Sequence, residues 1–103
     1  MMMTTTPSLG DERVEVLGLV RGCAAYSKNA VKDIGQAFKG IVGGELRSYS
    51  DLMELASVTA TEKMEAQAAD LGADAIISVS YAAMSMADGA PAVIASGTAV
   101  KLV

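Results

Sequence analysis

Three sets of side chains in this sequence could do chemistry. The softest ligands are Cys23, Met84 and Met86. A thiolate and two thioethers suit Cu(I) and other heavy-metal ions, and Met84 and Met86, at i and i+2, share one face of an extended chain. Against a metal site stands the absence of any histidine, of a CxxC motif and of a second cysteine, so one chain cannot preorganise a zinc site. Methionines on an apolar face are ordinarily core or interface filler. A ring of subunits could still multiply one Cys or Met into a site.

The second set is the stretch IVGGELRSYS, with Gly43, Gly44, Arg47, Ser48 and Tyr49 as candidate ligand-binding residues. Backbone amides at the start of a following helix, with Arg47, Ser48 and Ser50 nearby, could hold a small anion. A phosphate loop would need GxxxxGK[ST] or GxGxxG after a strand, whereas these glycines follow a helical pattern and precede the anion Glu45. The favoured reading is that Gly43 ends one helix in a left-handed conformation and Gly44 lets the chain reverse. The third set is acidic: Glu54, Glu62, Glu65 and Asp70, of which Glu62 and Glu65 can meet at i and i+3. Paired carboxylates can do acid–base work or bind hard cations, but with Lys63 among them a solvated helix face is favoured. No Ser or Cys stands beside an evident base, so nucleophilic catalysis is not indicated and no catalytic residue is assigned.

The elements that must position these residues follow from composition and period. At 103 residues the chain is read as a single domain, residues 1–103, with residues 1–12 a partly flexible start. Half of it is apolar (51%), yet only one Phe and three Tyr supply aromatic bulk. With a mean hydropathy of +0.37, some apolar surface is expected to be hidden between subunits. A net charge of −4 without any basic run disfavours nucleic acid as a partner. A single cysteine, no secretory signal and no apolar run of about 18 residues point to a cytoplasmic protein with no membrane partner.

RVEVLGLVRGCAAY alternates, which predicts a strand over about Val14 to Ala24 with Val14, Val16, Gly18, Val20 and Gly22 on one face. Val31, Ile34, Phe38, Ile41 and Val42 step by three or four and predict a helix, with Ser27 or Asn29 as N-cap. A longer helix is predicted over Ser48 to Leu71, striped by Tyr49, Leu52, Met53, Ala56, Ala60, Met64, Ala68 and Leu71. It is bounded by Ser48 and Asp51 at its start and by Gly72 at C′. From Asp74 the period falls to two, and Asp88-Gly89 predicts a two-residue hairpin turn.

That turn pairs Ala83 with Ile94, Tyr81 with Ser96, Val79 with Thr98, Ile77 with Val100 and Ala75 with Leu102 on the face expected to take the helices. The other face, with Ala82, Ala95, Gly97 and Ala99, is expected to be a subunit contact. The predicted fold class is α+β, a small antiparallel sheet covered on one face by a long helix, in the order β-α-α-β-β.

With the motifs in this order, TTTPSLG, VLGLVRG, VKDIGQAFKGIVGGELRSYSDLM, LGADAIISV and ASGTAV, the whole chain resembles the YbjQ-like family, also called DUF74 or UPF0145. The resemblance implies a fold similar to dodecin subunits, ring-forming members with a pentamer expected, and a heavy-metal-binding label carried by some members. It supplies no metal-ligand motif and no named cofactor. The sequence departs from the usual pattern at Ser57, where an arginine is common, at Ala92, where an acid is common, and at Ser96, where a tyrosine is common. An ion pair between that arginine and that acid, if relatives form one, is lost here. The leading functional reading is a non-enzymatic, ring-forming homo-oligomer holding a metal ion or small ligand at subunit interfaces. Beside it stand a purely structural assembly and an enzyme with an inter-subunit site, which would need polar groups converging across a subunit boundary.

Overall fold

The computed structural model describes residues 1–26, 49–85 and 90–103, and of Tyr49 the backbone only. The predicted first helix, its capping residues Ser27 and Asn29, and the Asp88-Gly89 turn lie outside these residues. Four strands form one sheet: β1 (Met2–Met3), β2 (Val14–Ala25), β3 (Ala75–Ser85) and β4 (Pro91–Leu102), in the spatial order β1-β3-β4-β2. Among the described residues one helix, α1 (Tyr49–Asp70), packs on one face, mainly against β2 and β4. The β2–β4 and β3–β4 pairs are antiparallel as predicted, but β1 runs parallel to β3, so the sheet is mixed.

That parallel edge comes from the stretch expected to be a partly flexible start, and the reason lies in β3. A bulge at Ser78 and Val79 sets two residues against one on β4, and Ser78 sits at φ 53. Its amides turn outward, where the Ser78 N–H donates to the Thr6 carbonyl at 2.8 Å and the Val79 N–H to the Thr4 carbonyl at 3.0 Å. The threonine segment thus satisfies backbone donors that a regular ladder would have paired.

The predicted register is corrected twice, by one residue already at Ser85–Pro91 and by a second at this bulge. Ala75 pairs with Val100, Ile77 with Thr98, Tyr81 with Ala95, Ala83 with Val93 and Ser85 with Pro91, none of which is the register that an Asp88-Gly89 two-residue turn dictates. A slip of one residue exchanges the faces of a strand. Val93, Ala95 and Ala99 therefore face α1, not a neighbouring subunit, together with Ile76 and Val79 from either side of the bulge. Ile77 and Val100 do share a face, but it is the one away from the helix. Gly97 is opposite the bulge and buried: a Cβ there would stand 2.6 Å from Ile76 Cγ2 and 3.3 Å from Val79 Cγ2. It is a core position, not the subunit contact that the predicted register implied.

A second bulge does the same in β2. The register shifts between Val16 and Gly18, where Gly18 has φ 147. Val16 then pairs with Val100 on the helix-free face and is 63% exposed, while Val20 and Ala24 are buried under α1. The five positions predicted to share one face are thus split between two.

The helix itself is close to its prediction. Leu52, Ala56, Ala60, Met64 and Ala68 are buried, joined by Leu55, which the stripe omitted and which packs with Leu52 against Tyr26 and Val58. Leu71 lies past the helix end and is exposed. Gly72, at φ 79, is the C′ residue: its N–H donates to the Ala69 carbonyl at 3.0 Å, and the Ala73 N–H reaches the Ala68 carbonyl at 3.1 Å, completing a Schellman motif. Alanines on α1 and Gly22 on β2 let helix and sheet approach closely; a Cβ on Gly22 would collide with the Ala60 carbonyl.

Candidate functional site

Two surfaces result from this packing. The first is the face of the sheet away from α1, helix-free among the described residues. Leu9 folds over one end of it and buries Ala75, Ile77 and Val100. Elsewhere large apolar side chains stand in the open: Val16 and Leu19 from β2, Met84 from β3, and Ile94 and Leu102 from β4. Register places Arg21, Cys23, Ser96, Ser80 and Ala82 on the same face, since Cys23 and Ala82 both flank Ile94.

Of the predicted metal ligands, Cys23 and Met84 are both exposed there. They stand on β2 and β3, with β4 between, so their strands are roughly 10 Å apart at the usual strand spacing. Within one subunit they do not converge on an ion. Met86 lies outside the described residues, and among those described no cluster of three His, Cys, Asp or Glu side chains exists. Gly43, Gly44, Arg47 and Ser48 also lie outside; Tyr49 contributes the first residue of α1.

Among the described residues β2 is an edge strand, and α1 holds that edge. Gln67 Oε1 accepts the Arg21 N–H at 2.8 Å, and Lys63 Nζ donates to the Cys23 carbonyl at 3.0 Å. Two side chains one turn apart thus occupy backbone groups that an edge strand would otherwise offer to another chain.

The second surface is a groove of about 340 Å³ on the other side of α1, where the helix leaves β3 and β1 uncovered. Met3, Val58 and Tyr81 give it apolar walls, and Thr61, Glu62 and Glu65 line its helix side, together with Ser57. An adjoining recess of about 160 Å³ shares Met3, Thr61 and Tyr81 and reaches Thr4 and Val79. Thr61 Oγ1 donates to the Ser57 carbonyl at 2.8 Å and lies 2.7 Å from Tyr81 Oη. Sequence reasoning singled out Glu62 and Glu65 as a pair but missed Tyr81 and Met3. Their approach depends on the β3 bulge and on the parallel β1 strand, neither of which leaves a periodic signal. Ser57 lines this groove while Ala92 belongs to the helix-free face, so positions 57 and 92 do not meet within one subunit.

No described helix is long and apolar enough to cross a membrane. Comparison with known proteins agrees with the sequence motifs. A family model described as "Putative heavy-metal-binding", of the YbjQ type, matches residues 1–103. UPF0145 proteins of Clostridium tetani and Alkaliphilus metalliredigens are each 43% identical over 103 residues. The first match covers 99% of this chain and 97% of the relative, the second 100% of both. The UPF0145 protein of Pseudothermotoga lettingae is 44% identical over 103 residues, covering 99% of this chain and 97% of that one. A crystal structure of a DUF74-family protein of unknown function from Pediococcus pentosaceus superimposes with a TM-score of 0.67 at 18% identity. It covers 100% of this chain and 98% of that one, and shares the fold. A full-length family match and relatives above 40% identity over essentially the whole chain lead to one conclusion: this chain belongs to the YbjQ-like family, UPF0145.

Proposed function

We propose that this protein is a non-enzymatic, cytoplasmic subunit of a closed homo-oligomer, a pentamer by preference, that holds a heavy-metal ion or small ligand where subunits meet. The observation that carries this reading is the helix-free sheet face, on which Leu19 is 68%, Met84 59% and Ile94 39% exposed. A face of that kind is covered in water by another apolar surface, and a repeated contact that closes on itself covers it in every copy. Cys23 and Met84 belong to this face, so subunit contact is the arrangement that could bring soft ligands from different chains together. The family's heavy-metal description agrees with that chemistry. The reading includes neither nucleic acid nor membrane as a partner.

Sedimentation velocity of the wild type and of Ile94→Glu tests the assembly. The wild type should sediment as one closed species at micromolar concentration. The variant, with a carboxylate placed in a desolvated contact, should fall to smaller species. A wild-type monomer would overturn the assembly, and an unchanged oligomer in Ile94→Glu would overturn this choice of face. Titration calorimetry with Cu(I) under reducing conditions then tests the ligand set. Binding should require both the oligomer and Cys23, and tight binding retained by Cys23→Ser would refute the assignment.

A further inference from the structure

We propose that the groove between α1 and the β1–β3 edge is a binding site for a small organic ammonium compound with an apolar body. The inference is independent of the assembly, because the groove lies on the helix side of the sheet and the proposed subunit contact on the other.

Proton placement in the groove fixes the ligand's polarity. The Ser57 carbonyl can only accept, so the single proton of the Thr61 hydroxyl is committed to it at 2.8 Å. Tyr81 Oη, 2.7 Å from Thr61 Oγ1, must then be the donor of that contact. Its phenolic oxygen is left with lone pairs and no proton to offer. Glu62 and Glu65 add carboxylates, which also only accept. Apart from the Ser57 hydroxyl, the polar side-chain atoms lining the groove therefore call for a donor, and the charge calls for a cation.

The nearby cations leave that demand open at Glu62. Lys63 directs its ammonium to the Cys23 carbonyl, at the β2 edge. The Met1 amino group lies 3.6 Å from Glu65 Oε2 and pairs with that carboxylate. Glu62, which is exposed, has no ion pair among the described residues. The apolar half of the ligand is set by Met3 and Val58 and by the Tyr81 ring, which is 51% exposed and presents a face suited to a cation or to a flat hydrocarbon. A volume of about 340 Å³ is that of a small-molecule site, at the lower end of the usual range.

The test uses phenethylammonium as the probe and 2-phenylethanol as its neutral counterpart, titrated calorimetrically into the full-length protein at low salt. Methyl resonances of Met3 and Val58 report the location. The ammonium should saturate, shift both resonances, and bind at least fivefold more tightly than the alcohol. Glu62→Gln, a surface change that leaves the fold intact, should weaken the ammonium about two- to fivefold, the range of exposed charge pairs, and added salt should do likewise. Equal binding of ammonium and alcohol, an affinity unmoved by Glu62→Gln, or no saturation at millimolar probe would each overturn the proposal.

Discussion

Replacing Gly22 by alanine isolates the close approach of helix and sheet. Gly22 does not have a positive φ, so alanine costs nothing in backbone conformation there. Its Cβ, however, would lie 2.6 Å from the Met64 nitrogen and 2.8 Å from Lys63 Cβ, and would run into the Ala60 carbonyl. Carbon contacts are comfortable at about 3.5–4.0 Å, so α1 must retreat by roughly 1 Å. The obstacles are mainly helix backbone, which cannot rotate away as a side chain would. Overpacking of this kind costs about 1–3 kcal/mol, and the reduced freedom of the unfolded chain offsets about 0.4–1 kcal/mol of it.

A net loss of about 1–2 kcal/mol lowers the melting temperature of a domain this size by about 5–15 °C. Thermal unfolding followed by circular dichroism measures it, with protein concentration held fixed because self-association would itself raise the midpoint. Gly10→Ala is the control: Gly10 has φ 65 but open space around its Cβ direction, so only the left-handed backbone penalty of about 1–2 kcal/mol applies, less the same unfolded-state offset. If Gly22→Ala melts at or above the wild-type temperature, the helix is not seated on a glycine floor and the packing argument fails.

Two further outcomes follow from the same geometry. Gln67→Ala removes the acceptor of the Arg21 N–H, so hydrogen exchange at that amide should quicken by about two- to tenfold, the equivalent of one ordinary hydrogen bond; an unchanged rate would mean that the helix does not hold the β2 edge. Gly72→Ala forces a side chain to φ 79 at the end of α1 and should cost about 1 kcal/mol in urea denaturation, with Gly72→Asn losing less; equal stability of all three proteins would contradict the Schellman cap.

The sequence by itself determined the long helix, its glycine stop at Gly72, the first long strand and the antiparallel pair that closes the chain. Each of these is a local matter of period and cap chemistry that survives whatever surrounds it. Membership of the family was legible for a similar reason, since the motifs run in order along the whole chain. Glu62 and Glu65 were legible as neighbours because helical spacing alone sets i and i+3.

What only the tertiary structure decided was which face each strand turns inward. Bulges at Leu17–Gly18 and at Ser78–Val79 each insert one residue, and one residue reverses the side on which all later residues lie. On β4, which has no bulge, a one-residue slip already present at Ser85–Pro91 put Ala95, Gly97 and Ala99 in the core, while the bulges made Val16 surface and kept Ile77 with Val100 on the face away from α1. The parallel strand β1 escaped notice because two residues carry no period, and its place depends on amides that only the bulge leaves unpaired. The groove formed by Met3, Tyr81 and Thr61 depends on both events. It arises from residues far apart in the chain, whose meeting follows from an irregularity in the ladder and not from any repeat in the sequence.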